Sequence, residues 1–313
     1  MTGSRFDFLE IGEKRAAVAR PAEVAALPVG GKAARLHFRA REVIGKHGKE
    51  LGEFCCPGGL AVDHEGNLYV ADTYNHRIQK ITPEGDVYGF FSRGTGPGSL
   101  LHPQGVAVDY VGCIYVVEQG NARLQKFSAN GRLLLCVGAP GEFSSPEGIA
   151  IDENHNIYVA DSGLATIKSY SPEGRLRPEF VCGRGTPLRL KGPQGVACDR
   201  AGNIYIADTL GNRILKLDTT GALQGQFGTP GVDPGKLGFP QDLAIDIDGG
   251  VLVLEIGNHR LQKFDPAGQS QAHFPTGQQK ITLNSPSGIA VDRQGNIYLA
   301  DTLHHRILLL QAS

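Results

Sequence analysis

An all-β fold, a six-bladed β-propeller of four-stranded antiparallel blades, is predicted by three observations. The first is a repeat anchored on proline. Pro57-Gly-Gly-Leu-Ala-Val-Asp63, Pro103-Gln-Gly-Val-Ala-Val-Asp109, Pro146-Glu-Gly-Ile-Ala-Ile-Asp152, Pro193-Gln-Gly-Val-Ala-Cys-Asp199, Pro240-Gln-Asp-Leu-Ala-Ile-Asp246 and Pro286-Ser-Gly-Ile-Ala-Val-Asp292 recur at intervals of 43 to 47 residues, a period typical of solenoids and propellers. The second is a strand pattern inside each unit, and the third is a missing strand in the last unit that the N-terminal region supplies.

Within a unit, the first strand is the short apolar run that ends in Asp. A D-x-x-G-N turn follows (Asp63 to Asn67, Asp199 to Asn203, Asp292 to Asn296), then a second strand such as Leu68 to Ala71 or Ile204 to Ala207. These are hairpin signals. After a second polar turn comes an alternating third strand, Arg77 to Ile81 or Arg260 to Phe264. A Pro/Gly turn such as Thr82-Pro-Glu-Gly85 leads to a less regular fourth, Val87 to Phe91. Four antiparallel strands per unit make one blade.

The last unit ends at its third strand, Arg306 to Leu310, and the segment His37 to Gly45 has the character of a fourth. We therefore expect the N-terminal strand to complete the last blade and leave no open edge. This divides the chain into an extension, residues 1–35, and a propeller, residues 36–313. The extension is expected to lie along the rim, to be loose, or to dock a partner.

The repeat consensus, P-x-G-I/V-A-V-D-x-x-G-N-I/L-Y-V-A-D-T-x-N-H-R-I-Q-K-F, resembles the NHL repeat over roughly residues 36 to 313. The resemblance implies a six-bladed NHL propeller. It says less about function, because such rings serve enzymes, RNA binders and protein scaffolds alike. Peptidylglycine amidating lyases, which share the repeat, use several channel histidines at a metal, and streptogramin lyases, of related look, use a His-centred acid/base site.

Composition narrows the classes. The formal net charge is −1, from 31 basic and 32 acidic residues, so there is no bulk attraction to nucleic acid or anionic lipid. No secretory h-region and no run of eighteen apolar residues is present, and a cytoplasmic location is expected. The six cysteines show neither C-x-x-C spacing nor a disulfide framework. Cys198 reads as a small core residue, while the adjacent Cys55 and Cys56 are the thiols to watch.

Loops between strands four and one, and turns between strands two and three, should emerge on one face, where function is expected. Residues flanking the repeat proline should line the axial mouth: Cys56, His102, Ser145, Gly192, Phe239 and Ser285 before it, and Gly58, Gln104, Glu147, Gln194, Gln241 and Ser287 after it. Asp242 stands where other units have Gly. His102, Gln104, Glu147, Gln194, Gln241 and Asp242 form a candidate site for a small polar ligand or cation, or else a water-filled funnel. A single His argues against a catalytic metal, and no cofactor or metal is expected.

An acid ends strand two in every unit, and an arginine opens strand three five residues later in five of them. Asp72 with Arg77, Glu118 with Arg123, Asp208 with Arg213, Glu255 with Arg260 and Asp301 with Arg306 are expected to pair within their own blades. That leaves little for phosphate groups. His76, His259, His304 and His305 fall in these turns and are expected to stabilise them, since equivalent turns on different blades are too far apart to share an ion. The third unit departs from the pattern: Asp161 has Thr166 where an Arg would stand, and Leu164 adds an apolar group. With Arg184, Arg189 and Lys191 nearby, this sector is the candidate partner surface.

Three functions remain open. The first is a non-catalytic scaffold, consistent with a chain that lacks a nucleophile, base and acid constellation, presenting its loop face to a protein partner as a monomeric ring. The second is a lyase or hydrolase working in the axial mouth through His102 with Glu147 or Asp242. The third is RNA binding at the loop face, for which the chain lacks surplus charge and aromatic platforms.

Overall fold

The computed structural model describes residues 14–15, 37–180, 182, 188–275 and 281–312. Its strands form six antiparallel sheets set as blades around an axis. Blade one is Pro57–Val62, Leu68–Asp72, Arg77–Ile81 and Asp86–Phe90; blade two is Pro103–Val108, Ile114–Glu118, Arg123–Phe127 and Leu133–Val137. Blade four (Pro193–Cys198, Ile204–Asp208, Arg213–Leu217, Leu223–Phe227) and blade five (Pro240–Ile245, Val251–Glu255, Arg260–Phe264, Ser270–Phe274) repeat the plan. In blade six, Gly288–Val291, Asn296–Asp301 and Arg306–Ala312 are joined by Phe38–Ile44.

That last pairing closes the ring. Phe38 to Ile44 runs antiparallel to Arg306 to Ala312, with Phe38 opposite Ala312, Val43 opposite Leu308 and Ile44 opposite Ile307. Two blades depart from four strands. Blade three has three among the described residues (Pro146–Ile151, Ile157–Asp161, Thr166–Tyr170), with a single bridge from Tyr170 to Leu176 beyond them. Blade one gains a two-residue outer strand, Lys14–Arg15, paired with Asp86 and Val87. The rest of residues 1–35 lies outside the described residues.

The D-x-x-G-N turn forms because its parts satisfy one another. Asp63 Oδ1 accepts the amides of Glu65 and Asn67 at 3.0 and 2.9 Å, while Oδ2 accepts from the Asn67 side chain and the Tyr69 hydroxyl. This is an Asx turn. Gly66 sits at φ +86°, a left-handed conformation that costs a side chain. In blade three His155 occupies that position at φ 60°.

The second strand of blades one to five is sandwiched between neighbours and fully buried, so it reads as a continuous apolar run ending in an acid. The core is a series of layers between blades. Tyr69, Ala71 and Ile78 of blade one pack on Val106, Ile114 and Val116 of blade two, and the same plan returns at other junctions. Cys198 borders the layer between blades three and four, where burial pushes its thiol up, beyond the ordinary range. Among the described residues, no helix is long and apolar enough to cross a membrane.

Candidate functional site

The axial channel is narrow because its walls are backbone. A Cβ placed on Gly105 would lie 2.4 Å from the Glu147 carbonyl oxygen, one on Gly148 would lie 2.2 Å from that of Gln194, and one on Gly288 would lie 2.2 Å from that of Gly58. The repeat glycine therefore exists to let first strands touch around the axis. What remains is a cavity of about 80 Å³ lined by Gln104, Glu147, Gln194, Gln241, Asp242 and Ser287 with the glycines and apolar residues beside them. Small-molecule sites usually enclose roughly 300–1,000 Å³. This channel has room for a few waters.

Two carboxyls share that space in different ways. Glu147 accepts from Ser162 Oγ at 2.5 Å and from Gln194 Nε2 at 2.6 Å, yet burial raises its pKa above the usual carboxylate range. The same Gln194 leaves its Oε1 buried without a partner, which suits a water or a protonated donor in the channel. Asp242 replaces a repeat glycine, and its carboxylate accepts the amides of Leu243 (2.9 Å) and, across the blade junction, Ile289 (3.1 Å). Burial outweighs both bonds and pushes Asp242 up to about 7.

His102 does not join these groups. It sits at φ 48°, and the left-handed turn carries its ring to the loop face, where it stacks on His76 with centroids 4.6 Å apart. Cys56, Gly192, Phe239 and Ser285, also just before the proline, have positive φ as well. The residue after the proline reaches the channel, and the residue before it sits in a left-handed turn in every blade but the third, where Ser145 bonds the channel carboxyl Glu147.

On the loop face the acid of strand two is the hub of each blade. Arg Nε meets it at 2.6–2.8 Å in the pairs Asp72–Arg77, Glu118–Arg123, Asp208–Arg213, Glu255–Arg260 and Asp301–Arg306. Each acid also accepts a backbone amide of the loop ahead of its own proline, as Asp72 does from Cys55 (2.7 Å) and Glu118 from Leu101 (2.8 Å). The guanidinium donates onward to that loop's carbonyls, Arg123 to Thr95, Gly96 and Ser99. These arginines are spent inside the fold.

Blade three solves the same problem without arginine. Asp161, fully buried, accepts the amides of Ser144, Ser145 and Leu164 at 2.8–3.0 Å, so the carboxylate expected to lack a partner has three. Leu164 is half-buried, and Arg189 and Lys191 are exposed. Arg184 lies outside the described residues.

The turn histidines have a repeated structural role. His76 Nδ1 accepts the amide of His102 (3.1 Å), His259 Nδ1 that of Ser285 (3.3 Å) and His305 Nδ1 that of Cys56 (3.0 Å), while Asn212 Oδ1 serves Phe239 at 2.8 Å. Each staples one blade to the next. Ala122 and Ala165 hold the equivalent left-handed position in blades two and three, and a methyl group cannot accept the bond. Replacing His76 by Ala should cost about 1 kcal/mol, whereas His76→Asn should cost less than about 0.5, as Asn212 does the same work. Urea denaturation of both variants checks this, and equal losses would remove the acceptor role.

The sequence places Phe239 at the axial mouth and does not single out the other exposed apolar groups of this face. Leu210 is 62% exposed, Tyr74 57%, Leu303 48% and Phe239 46%. Three of them occupy one turn position, two residues after the acid, in blades one, four and six; Phe239 belongs to the intervening blade five. The signal lay in the alignment of Thr-Tyr, Thr-Leu and Thr-Leu after the acid. One metal-competent cluster is also present among the described residues, formed by His47, Cys55 and His305.

The NHL repeat family model matches residues 54–81 and 283–308, the blades on either side of the closure. No curated protein matches the chain. Among solved structures, virginiamycin B lyase from Staphylococcus aureus is 16% identical, covering 88% of this chain and 98% of that one, with a TM-score of 0.61. A gluconolactonase from Xanthomonas campestris is 18% identical over 84% and 88%, at 0.65. A chain of a nidogen/laminin complex is 21% identical over 74% and 84%, at 0.56. At these identities the likeness is one of fold.

Proposed function

The chain is an NHL-repeat protein built as a six-bladed propeller, and from that premise we propose that it is a non-catalytic scaffold presenting its loop face to a protein partner. The observation that carries the reading is the arc of Leu210, Phe239, Leu303 and Tyr74, exposed on consecutive blades four, five, six and one. Interface cores are built from aromatic and aliphatic anchors with few charges. On this face the arginines are neutralised by their own acids, which disfavours RNA. Of the candidate surface residues, half-buried Leu164 and exposed Arg189 and Lys191 would extend this face with a cationic edge, whereas Asp161 is buried and adds no surface. We further propose a cytoplasmic, monomeric ring, with residues 1–35 as an extension to the propeller at 36–313.

An enzymatic reading is supported by the raised carboxyls Glu147 and Asp242 and by lyase and gluconolactonase folds among the similar structures. The narrow channel weighs against it. Affinity capture with the full chain, compared with Leu210→Asp and Phe239→Asp, separates the two. Each substitution should weaken a captured partner by more than about 100-fold, the effect of a hot-spot loss, with Tm unchanged. Capture unaffected by either change, or turnover abolished by Glu147→Gln, would overturn the scaffold reading.

A further inference from the structure

We propose that His47, Cys55 and His305 form a zinc site that clips the ring shut at the junction of blades six and one. Their ligand atoms lie within 4.8 Å of one another. Cys55 Sγ is 3.9 Å from His47 Nε2, and the His47 and His305 rings have centroids 4.4 Å apart. A thiolate at about 2.3 Å and an imidazole at about 2.0 Å from a tetrahedral zinc stand close to that separation. One thiolate with two imidazoles is a donor set for zinc, with the fourth position left to water at the exposed His47 edge.

The other blades provide the control. His47 pairs with Phe54 in a bridge whose counterparts are Arg93 with Leu100 and Pro230 with Leu237. His47 therefore corresponds to Arg93 and Pro230, and Cys55, next after Phe54, to Leu101 and Gly238. The repeat needs neither a His nor a Cys at those positions. The stapling role accounts for His305, as it does for His76 and His259, and leaves His47 and Cys55 unexplained. Among the described residues, all three coincide at this junction alone.

The placement matters because the ligands come from both ends of the chain. His47 follows the closing strand, and His305 precedes the strand it pairs with. A metal bound only by the closed ring stabilises that ring by mass action. Binding releases the Cys55 thiol proton. His305 gives up its bond from the Cys56 amide, whether the metal takes Nδ1 or takes Nε2 and shifts the imidazole proton to Nδ1.

The test uses the full chain, stripped with chelator and titrated with Zn²⁺, and with Co²⁺ as a spectroscopic substitute. One equivalent should bind, Tm should rise by several degrees, and Co²⁺ should show a thiolate charge-transfer band with tetrahedral visible absorption. His305→Asn retains an amide acceptor of the kind Asn212 supplies, so it should fold normally. It should weaken zinc binding by more than about 100-fold, since even losing an outer partner of a ligand costs about 10–100-fold. Cys55→Ser should remove the charge-transfer band, and His76→Asn should leave binding intact. No binding by the wild type at micromolar metal, or unchanged binding by His305→Asn and Cys55→Ser, overturns the proposal.

Discussion

Deleting residues 36–46 is expected to abolish cooperative folding of the whole ring, not of one blade alone. The deletion removes Phe38, 1% exposed, from a layer that contains Leu252, Leu254, Leu308 and Leu310, and takes Val43 and Ile44 with it. Truncating one buried Phe costs about 3–5 kcal/mol, and the whole strand carries several such side chains together with the ladder of backbone bonds to Arg306–Ala312. Domain stabilities are only about 5–15 kcal/mol. The deletion would also expose Arg306–Ala312 as a long apolar edge, a template for association. Near-UV circular dichroism during heating, with size-exclusion chromatography, should show a lost transition and aggregation. A deletion variant melting cooperatively within a few degrees of the full chain would mean that the closure is dispensable.

Asp242 should make the protein less stable as pH rises from about 4 to about 7. Its carboxyl is held at about 7 in the folded ring by burial, against an ordinary value near 3.9. Between those values the folded state holds one proton more than the unfolded chain, so protonation favours folding. The contribution is complete below about pH 4, is lost as pH rises through 7, and is flat above it. At about 1.4 kcal/mol per pKa unit, the full swing is as much as about 4 kcal/mol, and less where channel water reaches the carboxylate. Asp242→Asn removes the charge and keeps one acceptor, for the Ile289 amide, at the loss of the bond from Leu243. It should raise stability at pH 8 by a few kcal/mol and flatten the profile between pH 4 and 7, as read from urea midpoints at fixed pH. An unchanged slope in Asp242→Asn would show that another group carries it.

The repeat makes the blades legible in the sequence. Proline-to-Asp strands, Asx turns and acid-to-arginine spacing are local devices, and local chemistry is written in local sequence. The closure was legible for the same reason: a unit ended one strand short, and an edge strand needs a partner. The direction of side chains at the mouth was not. Gln104 and His102 are two residues apart on either side of Pro103, yet one faces the channel and the other stacks on His76, because a left-handed φ at His102 turns the chain. Backbone dihedrals of that kind are imposed by the neighbouring blade.

Sequence by itself determined the blade count, the strand order, the internal neutralisation of five arginines and the N-terminal origin of the last strand, since each depends on residues whose spacing in the chain sets their meeting. Tertiary packing decided the rest. It narrowed the channel by bringing glycines of adjacent blades into contact, satisfied Asp161 with three amides, gathered the exposed apolar residues into an arc, and set His47 and Cys55 beside His305, some 250 positions away in the chain. Those outcomes depend on how blades abut around a closed axis, a distance constraint that no single repeat contains.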